Sequence, residues 1–428
     1  MRWPAYLGYA APALPLAALY FPVFVYIAPF YAEFRGVSLG ALGALFIVIR
    51  LFDAISDPAM GWLSDRTTSR FGRRRPYLAL SVPLICISVW MLMVPPDSAD
   101  VWHVAIWLTL LTLSWTVALT PYFAWGAELS GDYAQRATIT TWREGASLIG
   151  TVLAVIVYNV AADAGDGLRN VALMVVILLP VGAAAALFLT PEPHDFSAKR
   201  MDLGYSLKTI LQDRLFRRLL IAYFVNGLAN ALPAGLFLFF IGDLLGAPDA
   251  GWLLLVYFLC AIGGMPLWSW AARKFSKHRA WGGAMIYASV LFAPAVLLGQ
   301  GDIMWFTAIS IATGIALGAD LSLPPAIQAD VVDNDTAANG EQRTGVFFAL
   351  WSVATKAALA IAGGTALIIL DLSGFQTGAE NDATALFTLA ALYALAPAVL
   401  KVIAVAIMWN FPLGEAQQRA LRSKIETT

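Results

Sequence analysis

Apolar residues along this chain come in long runs separated by short polar segments. A helix needs about 20 mostly apolar residues to cross a hydrocarbon layer of about 30 Å, and twelve stretches meet that length. Six spans are predicted at residues 6–31, 41–63, 77–94, 102–126, 139–161 and 169–190. Six more are predicted at residues 219–241, 250–272, 280–298, 303–323, 344–370 and 383–411. The pattern therefore predicts an all-α membrane protein with twelve transmembrane helices.

The longest polar stretch divides these spans into two groups of six. We expect residues 1–190 and 219–411 to form two six-helix halves, joined by a cytoplasmic linker with a short amphipathic helix at 191–218 and followed by a cytoplasmic tail at 412–428. The loop "GWLSDRTTSRFGRRRPY" after the second span has a weaker counterpart, "LWSWAARKFSKHRAW", after the eighth. Repeated halves are typical of transporters that rock about a midplane site.

Composition and charge agree with a membrane location. Hydrophobic residues make up 60% of the 428 residues and charged residues 13%, against roughly 45–50% and 25% in soluble domains. The formal net charge of -1 gives no electrostatic argument for a nucleic-acid partner. We expect membrane lipid around the chain and no nucleic acid.

Basic residues are concentrated in alternate loops. Counting from the second predicted loop, one set holds seventeen Lys and Arg residues, and the opposite set holds Arg35 and Arg169. The positive-inside rule then places both termini in the cytoplasm. The N-terminal apolar stretch is too long for a signal-peptide core, so we interpret it as an uncleaved first span of a multi-pass protein in a bacterial inner membrane.

Three ionisable residues lie inside the second predicted span. Arg50, Asp53 and Asp57 are spaced i, i+3, i+7, so on a helix they share an arc of roughly 60°. Ionisable groups in a membrane are costly and face the protein interior. Two carboxylates one turn apart favour a proton or a hard cation such as sodium. The alternative is a structural Arg50–Asp53 pair, with Asp57 capping or turning the helix before Pro58.

Further polar residues lie in other predicted spans. Thr116 offers a hydroxyl oxygen from the fourth span, although membrane threonines usually bond their own backbone. Arg143 lies beside Glu144 near the start of the fifth span, and pairing with a neighbouring acid is the alternative to a functional role. Lys356 lies well inside the eleventh span, and we expect its partner to come from another helix, with the second-span aspartates as candidates.

The remaining ionisable residues are less informative about function. We expect Asp320, near a span end, and Lys401, in a long span, to be snorkelling or structural. His103, His194 and His278 lie at or outside the span ends, so no buried nucleophile and base are evident and an enzyme is not expected. A receptor that does not transport remains an alternative.

Two segments resemble a known family. "RLFDAISDPAMGWLSDRTTSRFGRRRPY" and "ADVVDNDTAANGEQRTGVFFALWSVATK", in this order, resemble the glycoside-pentoside-hexuronide:cation symporters of the major facilitator superfamily. The resemblance covers nearly the whole chain. It implies a major facilitator fold, no cofactor, Na+ or H+ as the coupling ion, and a small-molecule substrate, a carbohydrate or glycoside, moved by alternating access. A lysolipid or other amphiphile, as in a related branch, is the alternative cargo.

The resemblance also implies roles for individual residues. Asp53, Asp57 and Thr116 look like the cation site, while Arg50, Arg143 and Lys356 are the candidates for charge coupling. Where a sugar-transporting member has acids in its first and fourth helices, this chain has Ala17 and Leu119. The candidate substrate contacts are mostly aromatic: Tyr26, Trp115, Tyr122, Trp125 and Trp351, with Ser352 beside the last.

The basic loop after the second span resembles the superfamily's gating motif. By that resemblance Gly61 allows close helix approach, and Asp65 pairs with basic residues to hold the cytoplasmic side shut. The basic candidates are Arg66, Arg70 and Arg73. A loop that only anchors the chain by the positive-inside rule would need the arginines but neither Gly61 nor Asp65.

Overall fold

The computed structural model describes residues 3–67, 69–129, 133–191, 211–339 and 344–412. Over these ranges the regular secondary structure is helical and contains no strand. Contacts divide the chain into two compact units, residues 1–198 and 199–428. Most of the predicted linker and of the C-terminal tail belongs to the residues that the structure does not describe.

Within its described residues, the first unit contains eight α-helices. They are α1 (Trp3–Ala10), α2 (Ala13–Val25), α3 (Ile27–Arg35), α4 (Leu39–Arg66), α5 (Arg75–Met93), α6 (Val101–Glu128), α7 (Tyr133–Asn159) and α8 (Ala164–Leu189). Helix α2 packs on α7 and α8, and α4 packs on α6. The candidate cation-site and charge-coupling residues of this unit lie on α4, α6 and α7.

The first predicted span is divided into short helices. The breaks fall at residues 11–12 and at Tyr26. They lie three or four residues before Pro15 and Pro29. A proline ring clashes with the carbonyl of residue i−4 and removes one backbone donor. Helix α4 begins more sharply, because the side chain of its N-cap, Ser38, accepts a hydrogen bond from the Ala41 backbone N–H at 3.2 Å.

The described part of the second unit contains seven α-helices. They are α9 (Arg214–Phe239), α10 (Leu253–Phe275), α11 (Lys277–Phe292), α12 (Ile303–Asn339), α13 (Thr344–Leu372), α14 (Ala383–Ala390) and α15 (Ala396–Met408). Short π-helical turns at Phe240–Leu244 and Ala391–Leu395 extend α9 and join α14 to α15. These turns bring Phe240 onto Tyr393, with ring centroids 4.0 Å apart.

Small residues allow α10 and α12 to pack closely. A Cβ placed on Gly318 would lie 2.5 Å from the Ala261 carbonyl oxygen, and one on Gly264 would lie 2.4 Å from the Ile315 carbonyl oxygen. Such distances leave no room for a side chain. Backbone contact of this kind is typical of helix pairs in membranes, where packing replaces the hydrophobic drive between helices.

Ten helical segments of the described chain are long and apolar enough to cross a membrane. The predicted count of twelve is therefore not confirmed. The two predicted spans missing from the ten correspond to α4 and α7, helices of 28 and 27 residues. Each carries buried or half-buried charges, and these lower its mean hydropathy.

Candidate functional site

The two predicted cation-site carboxylates meet the predicted hydroxyl. The Thr116 Oγ1 atom on α6 lies 2.8 Å from Asp53 Oδ1 and 3.1 Å from Asp57 Oδ1, both on α4. Asp53 and Thr116 are each 3% exposed. A hydroxyl has one hydrogen to donate, so at any moment it can serve one of the two carboxylates. A shared proton or a cation would supply the positive charge that this pair of acids favours.

Arg50 stands beside the same carboxylates. Its Nη1 atom lies 3.3 Å from Asp53 Oδ2, with side chains 14% and 4% exposed. The pair that the sequence offered as a structural alternative is therefore present, within the same cluster as the oxygen ligands. The Arg50 guanidinium also lies over the ring of Tyr20, 5.4 Å from its centroid.

Arg143 pairs with its neighbour. Its Nη2 atom lies 2.6 Å from Glu144 Oε1, and the Glu144 side chain is 60% exposed. The guanidinium also covers the ring of Phe123 on α6 at 4.2 Å. The structure therefore shows the pairing with a neighbouring acid that the sequence left open as the alternative. A role for Arg143 in charge coupling stays a prediction.

Three candidate substrate residues of the first unit lie inside its core. Tyr26 stacks on Tyr158 at a centroid distance of 3.6 Å. Tyr122 stacks on Tyr9 at 4.7 Å, and Tyr9 Oη donates to the Tyr122 carbonyl at 3.2 Å. Trp125 Nε1 donates to the Pro191 carbonyl at 3.4 Å. Tyr26, Tyr122 and Trp125 are at most 1% exposed, so these contacts are packing contacts here, and substrate binding by them stays a prediction.

The candidates of the second unit lie on α13. Trp351 stacks on Tyr223 of α9 at 3.6 Å and 22°, and the Tyr223 hydroxyl lies 3.0 Å from Thr355 Oγ1. Ser352 is exposed and Lys356 is half-buried. The predicted pairing of Lys356 with the α4 aspartates would join the two units and stays a prediction.

The arginines of the basic loop have partners inside the first unit. Arg66 lies over Trp62 at 4.1 Å, and Arg70 lies over Phe71 at 4.7 Å. Arg73 pairs with Glu128 at the end of α6. The Asp65 side chain is outside the part of the chain described, so its predicted gating contacts stay a prediction.

Gly61 lies where α4 passes α6. A Cβ built on it would lie 3.7 Å from Thr120 Cγ2, an ordinary van der Waals distance. The α4–α6 packing in this structure does not by itself require glycine there. The predicted role of Gly61 in gating would need a closer approach in another conformation.

Sequence reasoning missed the most buried arginine of this loop. Arg74 is 3% exposed, and its Nη2 atom lies 2.7 Å from Glu128 Oε1. Its Nη1 atom donates to Ser64 Oγ at 2.6 Å. The loop, α4 and α6 are thus tied together by Arg74 and Glu128. The acid follows the apolar run of the fourth span, which is the signal that could have pointed to it.

Sequence reasoning also missed a polar network in the second unit. Lys401 Nζ of α15 lies 2.9 Å from Asp320 Oδ2 of α12, and it donates to Asn226 Oδ1 at 2.9 Å and Asn230 Oδ1 at 2.8 Å. The Asp320 carboxylate also accepts from Asn226, Asn230 and Trp281 Nε1 at 3.0, 3.1 and 2.7 Å.

This network decides between the two roles that were expected for Asp320 and Lys401. Lys401 is 8% exposed and pairs with Asp320, so the structure shows the structural role for both residues and not snorkelling. Its three ammonium hydrogens have three acceptors, and the four lone-pair positions of the Asp320 carboxylate have four donors. The two partners come from helices far apart in sequence.

The helical fold and the paired acids define a multi-pass membrane protein with a candidate cation site. The chain belongs to the MFS/sugar transport protein family, whose model matches residues 8–415. Together with the symporters among the relatives described next, this match confirms the resemblance to cation symporters drawn from the sequence. The family is one of transporters, which agrees with the expectation of a transport protein embedded in the membrane.

Individual relatives match most of the chain. The inner membrane symporter YicJ of Escherichia coli (strain K12) is 27% identical over 94% of this chain and 90% of its own length. The sodium-dependent lysophosphatidylcholine symporter 1-B of Danio rerio is 26% identical over 92% of this chain and 82% of its own. A solved bacterial homologue of the human lysosomal transporter Spinster has a TM-score of 0.67 at 14% identity, covering 99% of this chain and 96% of its own. It shows a shared fold.

Proposed function

We propose that this chain is a secondary active symporter that couples the inward movement of Na+ or H+ to uptake of a carbohydrate or glycoside by alternating access. The observation that carries the proposal is the contact of Thr116 with both Asp53 and Asp57. Membership of a sugar transport family and similarity to a sodium-dependent symporter support it. The chain then acts as a carrier and not as an enzyme.

The proposed coupling follows from charge neutralisation. A cation bound by the Asp53 and Asp57 carboxylates cancels part of their charge, which weakens the hold of Asp53 on Arg50. Arg50 and, in the same scheme, Lys356 and Arg143 are then released to favour substrate binding. A ligand shifts a conformational equilibrium only by its difference in affinity for the two states, and this neutralisation supplies that difference.

The proposed topology has twelve spans. Helices α4 and α7 are long enough to cross a bilayer, at 28 and 27 residues and 1.5 Å per residue, and their charges would face other helices. Both termini would lie in the cytoplasm of a bacterial cell, with the chain in the inner membrane. The loop residues Asp65, Arg66, Arg70 and Arg73, with Gly61, would close the cytoplasmic side.

Thermal unfolding of purified protein in sodium, lithium or choline chloride, at several pH values, tests the cation site. A ligand that binds only the folded state raises its stability by mass action. Sodium-specific stabilisation that disappears in Asp57→Asn supports sodium coupling. Thermal stability that depends on pH but not on sodium, with the pH dependence lost in Asp57→Asn, supports protons as the coupling ion. If neither condition changes the unfolding temperature, the symport proposal fails.

A second cargo is favoured by one feature of the first unit. Ala17 and Leu119 are apolar where a sugar carrier of the family has acids, and they lie one helical turn from Tyr20 and Trp115 respectively. An apolar, aromatic surface suits a lysolipid or other amphiphile. Uptake into proteoliposomes under a sodium gradient, with unlabelled glycosides or lysolipids as competitors, separates the two cargoes.

A further inference from the structure

A half-buried tyrosine connects the two helices that carry the candidate cation ligands. Tyr20 of α2 lies under the Arg50 guanidinium of α4, with 5.4 Å between the guanidinium carbon and the ring centroid. Its ring also meets the ring of Trp115 on α6 edge-on, at 5.5 Å and 71°. Trp115 directly precedes Thr116. Tyr20 therefore contacts both the guanidinium beside Asp53 and the residue that precedes the hydroxyl ligand.

The position of Arg50 bears on how strongly a cation can bind. The Arg50–Asp53 contact of 3.3 Å is longer than the 2.7–2.9 Å that is usual for a charge-assisted hydrogen bond. Arg50 is thus close enough to balance part of the charge of the Asp53 carboxylate. It is too far away to form a full-strength charge-assisted hydrogen bond with it. A cation that binds Asp53 must compete with this guanidinium, because two positive charges beside one carboxylate repel each other.

We propose that Tyr20 is a positioning residue that sets the cation affinity by holding Arg50 back from Asp53. The inference rests on the proposed function, since it takes Asp53 and Asp57 as cation ligands. The electron-rich face of the tyrosine ring attracts the guanidinium and offsets part of the pull of Asp53. Trp115 holds the ring in place from α6. Without the ring, Arg50 moves closer to Asp53 and competes more strongly with an incoming cation.

The expected effect is a weaker cation site in Tyr20→Leu. We expect the dissociation constant for sodium to rise by about 2- to 5-fold, equivalent to about 0.5–1 kcal/mol at 1.4 kcal/mol per factor of ten. Tyr20→Phe keeps the ring and should bind sodium like the wild type. Calorimetric titration of the purified full chain with sodium chloride, against choline chloride at constant ionic strength, measures the constant. If only protons bind, the pH midpoint of thermal stability replaces it.

The Arg50→Gln background separates positioning from general structural damage. Weaker binding in Tyr20→Leu that disappears when Arg50 is Gln supports the proposal, because Tyr20 then acts through Arg50. Equal weakening in both backgrounds, or none in either, overturns it and leaves the proposed function standing. A wild-type chain that binds neither sodium nor protons overturns the proposed function and this inference together.

An isosteric pair covers the case in which Tyr20→Leu fails to fold. Phenylalanine and a trifluorinated phenylalanine at position 20 have nearly the same shape, but the fluorinated ring is electron-poor and attracts a cation less. Weaker sodium binding by the fluorinated variant supports the proposal. Equal affinity of the two variants overturns it.

Discussion

The network around Lys401 makes a strong prediction about the second unit. Replacing Lys401 with Met keeps most of the side-chain volume and removes the ammonium group. Three hydrogen bonds are lost, and the Asp320 carboxylate, with a side chain 9% exposed, stays buried without its counter-ion. Removing one partner of a buried ion pair costs about 3–5 kcal/mol. At about 2–4 °C per kcal/mol for a unit of this size, the unfolding temperature should fall by an amount on the order of 10 °C.

Thermal unfolding of Lys401→Met, Asp320→Asn and the double variant measures the coupling between the two charges. We expect each single change to be strongly destabilising. The double variant should be less destabilised than the sum of the two, because no buried charge is then left unpaired. The control is Lys274→Met, the same chemical change at an exposed lysine that lies over the Trp270 ring. It should change stability by about 1 kcal/mol or less, since it loses only an exposed cation–π contact.

Two results would refute this reasoning. One is a Lys401→Met protein as stable as the Lys274→Met control, which would mean that Asp320 reaches water or another cation. The other is strict additivity of the two single changes, which would show that Lys401 and Asp320 do not interact energetically. Either result would favour snorkelling, which the sequence left open for Lys401 beside a structural role.

Three more changes test the packing and the site. Thr116→Val removes the hydroxyl shared by the carboxylates and should weaken cation binding by about 10-fold or more, whereas Thr116→Ser should retain it, as read by cation-dependent stabilisation. Gly318→Ala places a Cβ 2.5 Å from the Ala261 carbonyl and should cost about 1–3 kcal/mol, while Gly283→Ala, with open space at its Cβ, should not lower the unfolding temperature. Ser276, between α10 and α11, has φ +85° and ψ 151°, a region nearly confined to glycine, so Ser276→Gly should stabilise by about 1 kcal/mol and Ser276→Ala should not.

The sequence by itself determined the class of the protein and the face of one helix. Long apolar runs cross a membrane whatever their partners are, and the spacing of Arg50, Asp53 and Asp57 puts them on one helix face through local geometry alone. Their charges also explain why α4 falls short of the apolar pattern of a span. The prolines that divide the first span also act through local backbone geometry. The breaks were not predicted, because the apolar run is long enough to be interpreted as one continuous span.

Only the tertiary structure decided which polar groups meet. Thr116 stands 63 residues from Asp53 and 59 from Asp57 along the chain, so the residues alone gave no reason to choose it among other threonines. Lys401 and Asp320 are separated by 81 residues, and each seemed isolated within its own apolar run. A buried charge is stabilised by groups on other helices, whose identity depends on how the helices pack. Hydrophobic periodicity shows which side of a helix is buried, and packing in three dimensions decides what it is buried against.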